Sequence, residues 1–107
     1  MVGTPAWARR TIQEIAQDTS RIDWSVHAQE RMEEREITDA DVLAILRQGD
    51  IAAPQLNERG EWECEVVHRL RGAREAGVVT IILTDPTPFG EHARLFIKTV
   101  MWKDWQG

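Results

Sequence analysis

Apolar residues return at helical spacing three times in the first half of the chain, and they alternate with polar ones in the second. Thr4-Pro5 reads as a helix start, with Thr at the N-cap and Pro at the first helical position. Trp7, Ile12, Ile15 and Ala16 follow at roughly 3.6-residue spacing, so a first helix is expected to about Asp18. Ser25 is the expected cap of a second helix reaching about Arg35, with a thin apolar face of Val26, Ala28 and Met32. Thr38-Asp39-Ala40-Asp41 opens a third helix as a capping-box variant, with Asp in place of the usual Glu. Val42, Leu43, Ile45 and Leu46 form its stripe, and Gly49 is a natural stop.

From Asp50 the period falls to two. Residues 51–56 read as a short strand that Pro54 confines to a sheet edge, followed by a turn at 57–60. In residues 62–71 one face carries Trp62, Cys64, Val66, His68 and Leu70; the other carries Glu63, Glu65, Val67, Arg69 and Arg71. Residues 72–77 and 85–90 read as loops, and the apolar run 78–83 as a central strand. Over residues 94–102, Leu95, Ile97, Thr99 and Met101 alternate with Phe96, Lys98, Val100 and Trp102. The expectation is one α+β domain over residues 1–107, with N-terminal helices packed on a four-stranded antiparallel sheet.

Composition narrows the class. The 107 residues are enough for one modest core, and 42% hydrophobic with 29% charged residues is ordinary for a globular chain. No apolar run approaches the ~18 residues of a membrane span. The opening stretch lacks a basic patch followed by an apolar run, and the single cysteine allows no intrachain disulfide, so a cytoplasmic location is expected. One cysteine also excludes a cysteine-rich zinc site, and the three histidines have no tight spacing; neither metal nor cofactor is expected. A net charge of -5 argues against a generic nucleic-acid coat, which relies on many Lys and Arg contacts. It leaves room for a site that needs only a few local cations. Residues 25–49 carry three arginines against six acidic groups, whereas residues 61–107 nearly balance, six against seven. A positive groove is therefore expected toward the C-terminal half.

The candidate chemistry begins at His27, Arg31 and Arg35. Spaced by four on a helix, they form one ridge. A titratable imidazole beside two permanent cations suits a phosphodiester.

The run His27-x-x-x-Arg31-x-x-x-Arg35-x-Ile37, then Thr38-x-x-Asp41-Val42 and a helix ending at Gly49, resembles the proteins grouped as domain of unknown function 4258. Thr99-Val100-Met101-Trp102 matches the Thr-Val-aromatic segment of that family's last strand, and the resemblance spans about residues 22–103. An extra helix over residues 1–20 lies outside it. The resemblance implies a fold similar to the RelE and BrnT toxins. It also implies a toxin of a toxin–antitoxin pair that cuts RNA without metal, with a cognate antitoxin as partner. The chain departs from the family in three respects: Glu36 stands where Gly is usual, which lengthens the helix in this reading; the chain is acidic; and it has no tyrosine.

Metal-free RNA cleavage needs a base for the 2'-hydroxyl, an acid for the 5'-oxygen and fixed cations for the phosphoryl charge. His27, in a first helical turn that favours anions, suits either proton transfer; the alternative is a ring packed on the sheet edge. Arg31 suits a phosphate clamp or an intrahelical pair with Glu30 or Glu34. Arg35 is a phosphate contact or an anchor of the helix end near Glu36 and Asp39. Lys98 offers a point charge and Thr99 a hydroxyl that orients His27, but on a regular strand they point to opposite faces and share a groove only if the strand bulges or they sit at its rim. Their alternatives are an edge lysine and a threonine chosen for strand propensity. Glu65, Arg69 and Arg71 are either substrate contacts or a cross-strand ion network. Trp102 and Trp105 either stack bases or cover core or a partner interface. His68 and Cys64 are expected in the core, and His92 at the surface. Two other functions compete: a non-catalytic interaction module of the same fold, and an acidic antitoxin or immunity protein.

Overall fold

The computed structural model describes residues 4–70, 74–84 and 93–103. Its first helix, α1 (Pro5–Ile15), starts where Thr4 accepts a hydrogen bond from the Trp7 amide at 3.1 Å. It stops at Ile15, short of Asp18, because Asp18 caps a separate 3-10 turn at Thr19–Arg21 through the Ser20 amide. The chain then forms a strand the sequence did not announce, β1 (Ile22–Trp24). Helices α2 (Val26–Arg35) and α3 (Asp39–Gln48) follow, capped by Ser25 and by the Thr38–Asp41 capping box. Strands β2 (Asp50–Leu56), β3 (Trp62–Arg69), β4 (Glu75–Leu83) and β5 (Arg94–Trp102) complete the order.

The α+β class holds, but the sheet is not a four-stranded antiparallel meander. Among the described residues it has five strands in the order β1-β5-β4-β3-β2, and β1 runs parallel to β5. The helices therefore do not all precede the strands. β2 is an edge, and its ladder with β3 shifts register between Ala52 and Gln55, the stretch containing Pro54, which has no N–H to donate. β4 is central, and it begins at Glu75, inside the stretch expected to be a loop.

The core lies on one face of the sheet. Ile12 and Ile15 from α1 and Val42, Ile45 and Leu46 from α3 meet Val66, Val78, Ile82, Leu95, Ile97 and Val100 from the strands. The opposite face carries the half-buried Val67, Val79, Ile81, Phe96 and Met101 among charged residues.

α2 takes a different position, and this creates the site. β1 covers only Leu95, Phe96 and Ile97 of β5. At Ser25 the chain leaves the sheet, and α2 packs against β5, continuing the cover that β1 begins. Both ends of α2 fasten to carbonyls of that strand. The Ser25 hydroxyl donates to the Lys98 carbonyl at 3.2 Å, and the Arg35 guanidinium donates to the Val100 carbonyl at 2.6 Å. Polar edge groups that would face open space are thereby satisfied.

Glu36 does not lengthen α2. It adopts φ 56°, ψ 41°, the left-handed conformation that ends a helix. Its amide donates to the Glu33 carbonyl, and the Ile37 amide donates to the Met32 carbonyl at 2.9 Å, the paired bonds of a Schellman stop. Met32 and Ile37 are both buried, which supplies the apolar contact that accompanies such a stop.

Candidate functional site

The last strand is not regular. Val79 pairs with Thr99 and Thr80 with Ile97, so Lys98 is an extra residue, a β-bulge. The bulge reverses the alternation: Leu95 and Ile97 face the core before it, Val100 and Trp102 after it. Thr99 and Met101 therefore lie on the open face, contrary to the unbroken alternation expected from sequence.

A groove of about 390 Å³ runs between α2 and β5. The ridge His27, Arg31 and Arg35 forms its wall; Thr99, Met101, Trp102 and Lys103 form the rest of the lining. Among the described residues no carboxylate lines it, although the chain as a whole is acidic. Another cavity of about 400 Å³ lies between α1 and β2, lined by Pro5, Ala6, Arg9, Arg10, Ile51 and Pro54. Among the described residues that one holds no group able to transfer protons near neutral pH, so the chemistry points to the α2–β5 groove.

His27 is exposed, and no described residue hydrogen-bonds its ring. It is the second residue of α2, at the helix end whose amides and dipole favour an anion. Arg31 is paired within its helix: Nη1 lies 2.7 Å from Glu34 Oε2. A guanidinium has five donors, so one exposed carboxylate leaves donors for a second anion. Arg35 is half-buried and fixed on the Val100 carbonyl rather than near Glu36 and Asp39. Its role is to hold the wall in place.

Thr99 reaches the groove, and Lys98 does not. The Lys98 ammonium sits 3.4 Å from both carboxylate oxygens of Glu63, in a separate groove with Asn57, Arg59 and Glu61. The groove's cation from the β5 end is Lys103, which the sequence reading missed. The signal was there: Thr99, Met101 and Lys103 continue a period of two beyond the expected end of the strand. Lys103 donates to Glu65 Oε1 at 2.7 Å, so among the described residues the partner of Glu65 is this lysine and not Arg69. Arg69 is exposed at the end of β3, in register with Glu75 and away from the groove.

Trp102 is only 8% exposed. Its indole N–H donates to the Arg35 carbonyl at 2.9 Å, and the Arg74 guanidinium lies 4.2 Å from its ring centre. The ring is largely buried, as the core-covering alternative for it had it, and only its rim lines the groove. Cys64 is buried and its thiol is pushed up to about 11, first by burial and then by the charge of Glu63. His68 is half-buried on the core-facing side of β3. Arg71, His92 and Trp105 lie outside the described residues. Among the described residues, no helix is long and apolar enough to cross a membrane, and no three His, Cys, Asp or Glu side chains gather as a metal site would require.

Comparison with known proteins gives one match. A family model described as Domain of unknown function (DUF4258) matches residues 24–102, which include the whole α2 ridge and all of β5 and leave out α1. No curated protein and no solved structure matches the chain.

Proposed function

The chain belongs to the domain of unknown function 4258 family, and on that premise we propose that its α2–β5 groove binds and cleaves the phosphodiester backbone of RNA without a metal. The observation that carries this reading is the groove's lining among the described residues: an imidazole that none of them hydrogen-bonds, two arginines, a lysine and a hydroxyl, and no carboxylate, in a chain of net charge -5. In this reading His27 takes the proton of a ribose 2'-hydroxyl. The 2'-oxygen then bonds to phosphorus, and the bond from phosphorus to the 5'-oxygen breaks. The products are a 2',3'-cyclic phosphate and a 5'-hydroxyl, whose proton comes from solvent or from the lysine beside it. Arg31 and the first-turn amides of α2 stabilise the phosphoryl oxygens, and Thr99 orients the reacting group. The reading includes a RelE/BrnT-like toxin with a protein antitoxin as its partner in the cytoplasm.

The test is incubation of single-stranded RNA with the wild type, His27→Ala and Arg31→Ala in EDTA. The expected result is cyclic-phosphate ends from the wild type and a loss of about 10²–10⁴-fold in rate for His27→Ala. Intact RNA with the wild type, and normal growth of cells expressing it alone, would defeat the reading.

A non-catalytic interaction module of the same fold is the second reading. It is favoured by the half-buried Val79, Ile81, Phe96 and Met101 on the open sheet face. It predicts that His27→Ala changes nothing, while a charge placed at Ile81 abolishes partner binding.

A further inference from the structure

Glu65 stands on β3 and Lys103 directly follows β5, with β4 between them, yet their charged atoms are 2.7 Å apart. Gly77 of β4 makes this crossing possible. A Cβ built there would lie 3.0 Å from Lys103 Cδ and 3.6 Å from the Glu65 side chain. The pair passes over the strand where a Cβ would press on the lysine stem. The Lys103 amide is fixed as well, donating to the Glu75 carbonyl at 2.8 Å. Lys103 lines the α2–β5 groove and Glu65 does not. The lysine therefore belongs to the groove, while its counter-charge is supplied from behind, across the sheet.

We infer that Lys103 is the phosphate-holding cation of the groove, and that Glu65 is a built-in competitor that holds the ammonium until a phosphate displaces it. The inference rests on the phosphodiester reading above and deepens it. Both side chains of the pair are partly exposed, at 32% and 22%, so the bond between them is worth little in water and yields readily to another anion. An ammonium keeps three donors and needs no fixed fork, so it can leave the carboxylate for a phosphate by turning its flexible stem. Lys98, the lysine the sequence favoured, has its own acidic surroundings in another groove and does not serve here. Glu65 thus acts through Lys103, as a positioning residue. It gives the groove selectivity: a ligand must carry enough charge to replace a carboxylate, which a phosphodiester chain does and a neutral polymer does not.

The test uses a labelled, 2'-O-methylated RNA of about ten nucleotides, within the usual site size for single strands and unable to be cleaved. Binding is followed by fluorescence anisotropy across a salt titration. Lys103→Gln should weaken binding several-fold at low salt and reduce the slope of log K against log salt by about one contact. Glu65→Gln should do the opposite and tighten binding several-fold, a gain that impaired folding could not produce. Exchanging the pair, Glu65→Lys with Lys103→Glu, should leave the melting temperature near that of the wild type but weaken RNA binding, whereas a purely structural pair would leave both unchanged. If wild type binds, Arg31→Ala weakens it, and neither Lys103→Gln nor Glu65→Gln changes affinity or slope, this inference falls and the phosphodiester reading stands. If wild type does not bind at all, both fall.

Discussion

Trp102 donates its indole N–H to the backbone carbonyl of Arg35 at 2.9 Å, while the Arg35 side chain donates to the Val100 carbonyl, two residues before that tryptophan, at 2.6 Å. The two bonds close a loop between the C-terminal end of α2 and the last residues of β5. They fix the wall of the groove to its floor. Arg35→Met removes a charged donor from a carbonyl that no β-strand serves, so a loss of about 1–3 kcal/mol is expected. Trp102→Phe keeps most of the apolar contact but orphans the Arg35 carbonyl, with an expected loss of about 1–3 kcal/mol. Urea denaturation measures both. Because the loop is closed by two bonds at neighbouring residues, the double variant should lose less than the two single losses added.

Glu36 is the one described non-glycine residue with positive φ. An L side chain in that region costs about 1–2 kcal/mol, which glycine avoids. Glu36→Gly should therefore raise stability by about 0.5–1 kcal/mol, and Glu36→Ala should not. The comparison separates the backbone effect from loss of the carboxylate. A thermal melt in which both variants shift equally would remove the backbone explanation.

How far the sequence could be read depended on how local each signal was. The helix caps at Thr4, Ser25 and Thr38 were legible because each is a bond between residues three apart. β1 was not: its three residues pair with Leu95, Phe96 and Ile97, more than 70 positions away, and nothing nearby marks them as a strand. The bulge was invisible for another reason. Leu95, Ile97, Thr99 and Met101 alternate well enough to pass for one face, and only the core, by taking in Val100 and Trp102 instead, reveals the change of phase. The site divides along the same line. The His27–Arg31–Arg35 ridge follows from helical spacing, whereas the choice of Lys103 over Lys98 follows from the bulge.

The Asp23–Arg94 pair ties β1 to β5 through two bonds, at 2.8 and 2.7 Å. Hydrogen bonding to Arg94 holds the Asp23 carboxyl below its ordinary value of 3.8, so the pair's contribution is present above that pH and is lost as pH falls through the lower folded value. Asp23→Asn should therefore lower the melting temperature at neutral pH, and the gap from wild type should shrink below about pH 4. Both side chains are 43% exposed, so the neutral-pH gap should be small and should narrow further in high salt. A gap that persisted at low pH would assign the effect to the side-chain amide rather than to the lost charge.

The bulge at Lys98 makes a sharper claim, because it concerns the number of residues in β5. Deleting Lys98 leaves Leu95, Ile97, Val100 and Trp102 facing the core in unbroken alternation, with Phe96, Thr99 and Met101 on the other face. Deleting Phe96 leaves the bulge in place and moves Leu95 and Arg94 out of step with their partners Ile82 and Leu83. A one-residue slip turns side chains to the wrong face, so this deletion drives a core leucine toward solvent. The Lys98 deletion should fold, losing about 1 kcal/mol with the bond that the Ser25 hydroxyl gives to the Lys98 carbonyl. The Phe96 deletion should lose several times more, since it exposes a buried leucine and removes an aromatic ring from the sheet. Urea unfolding of the two one-residue deletions reads the difference directly. Equal losses would mean that β5 carries no extra residue at Lys98, and Thr99 would then have no route to the groove.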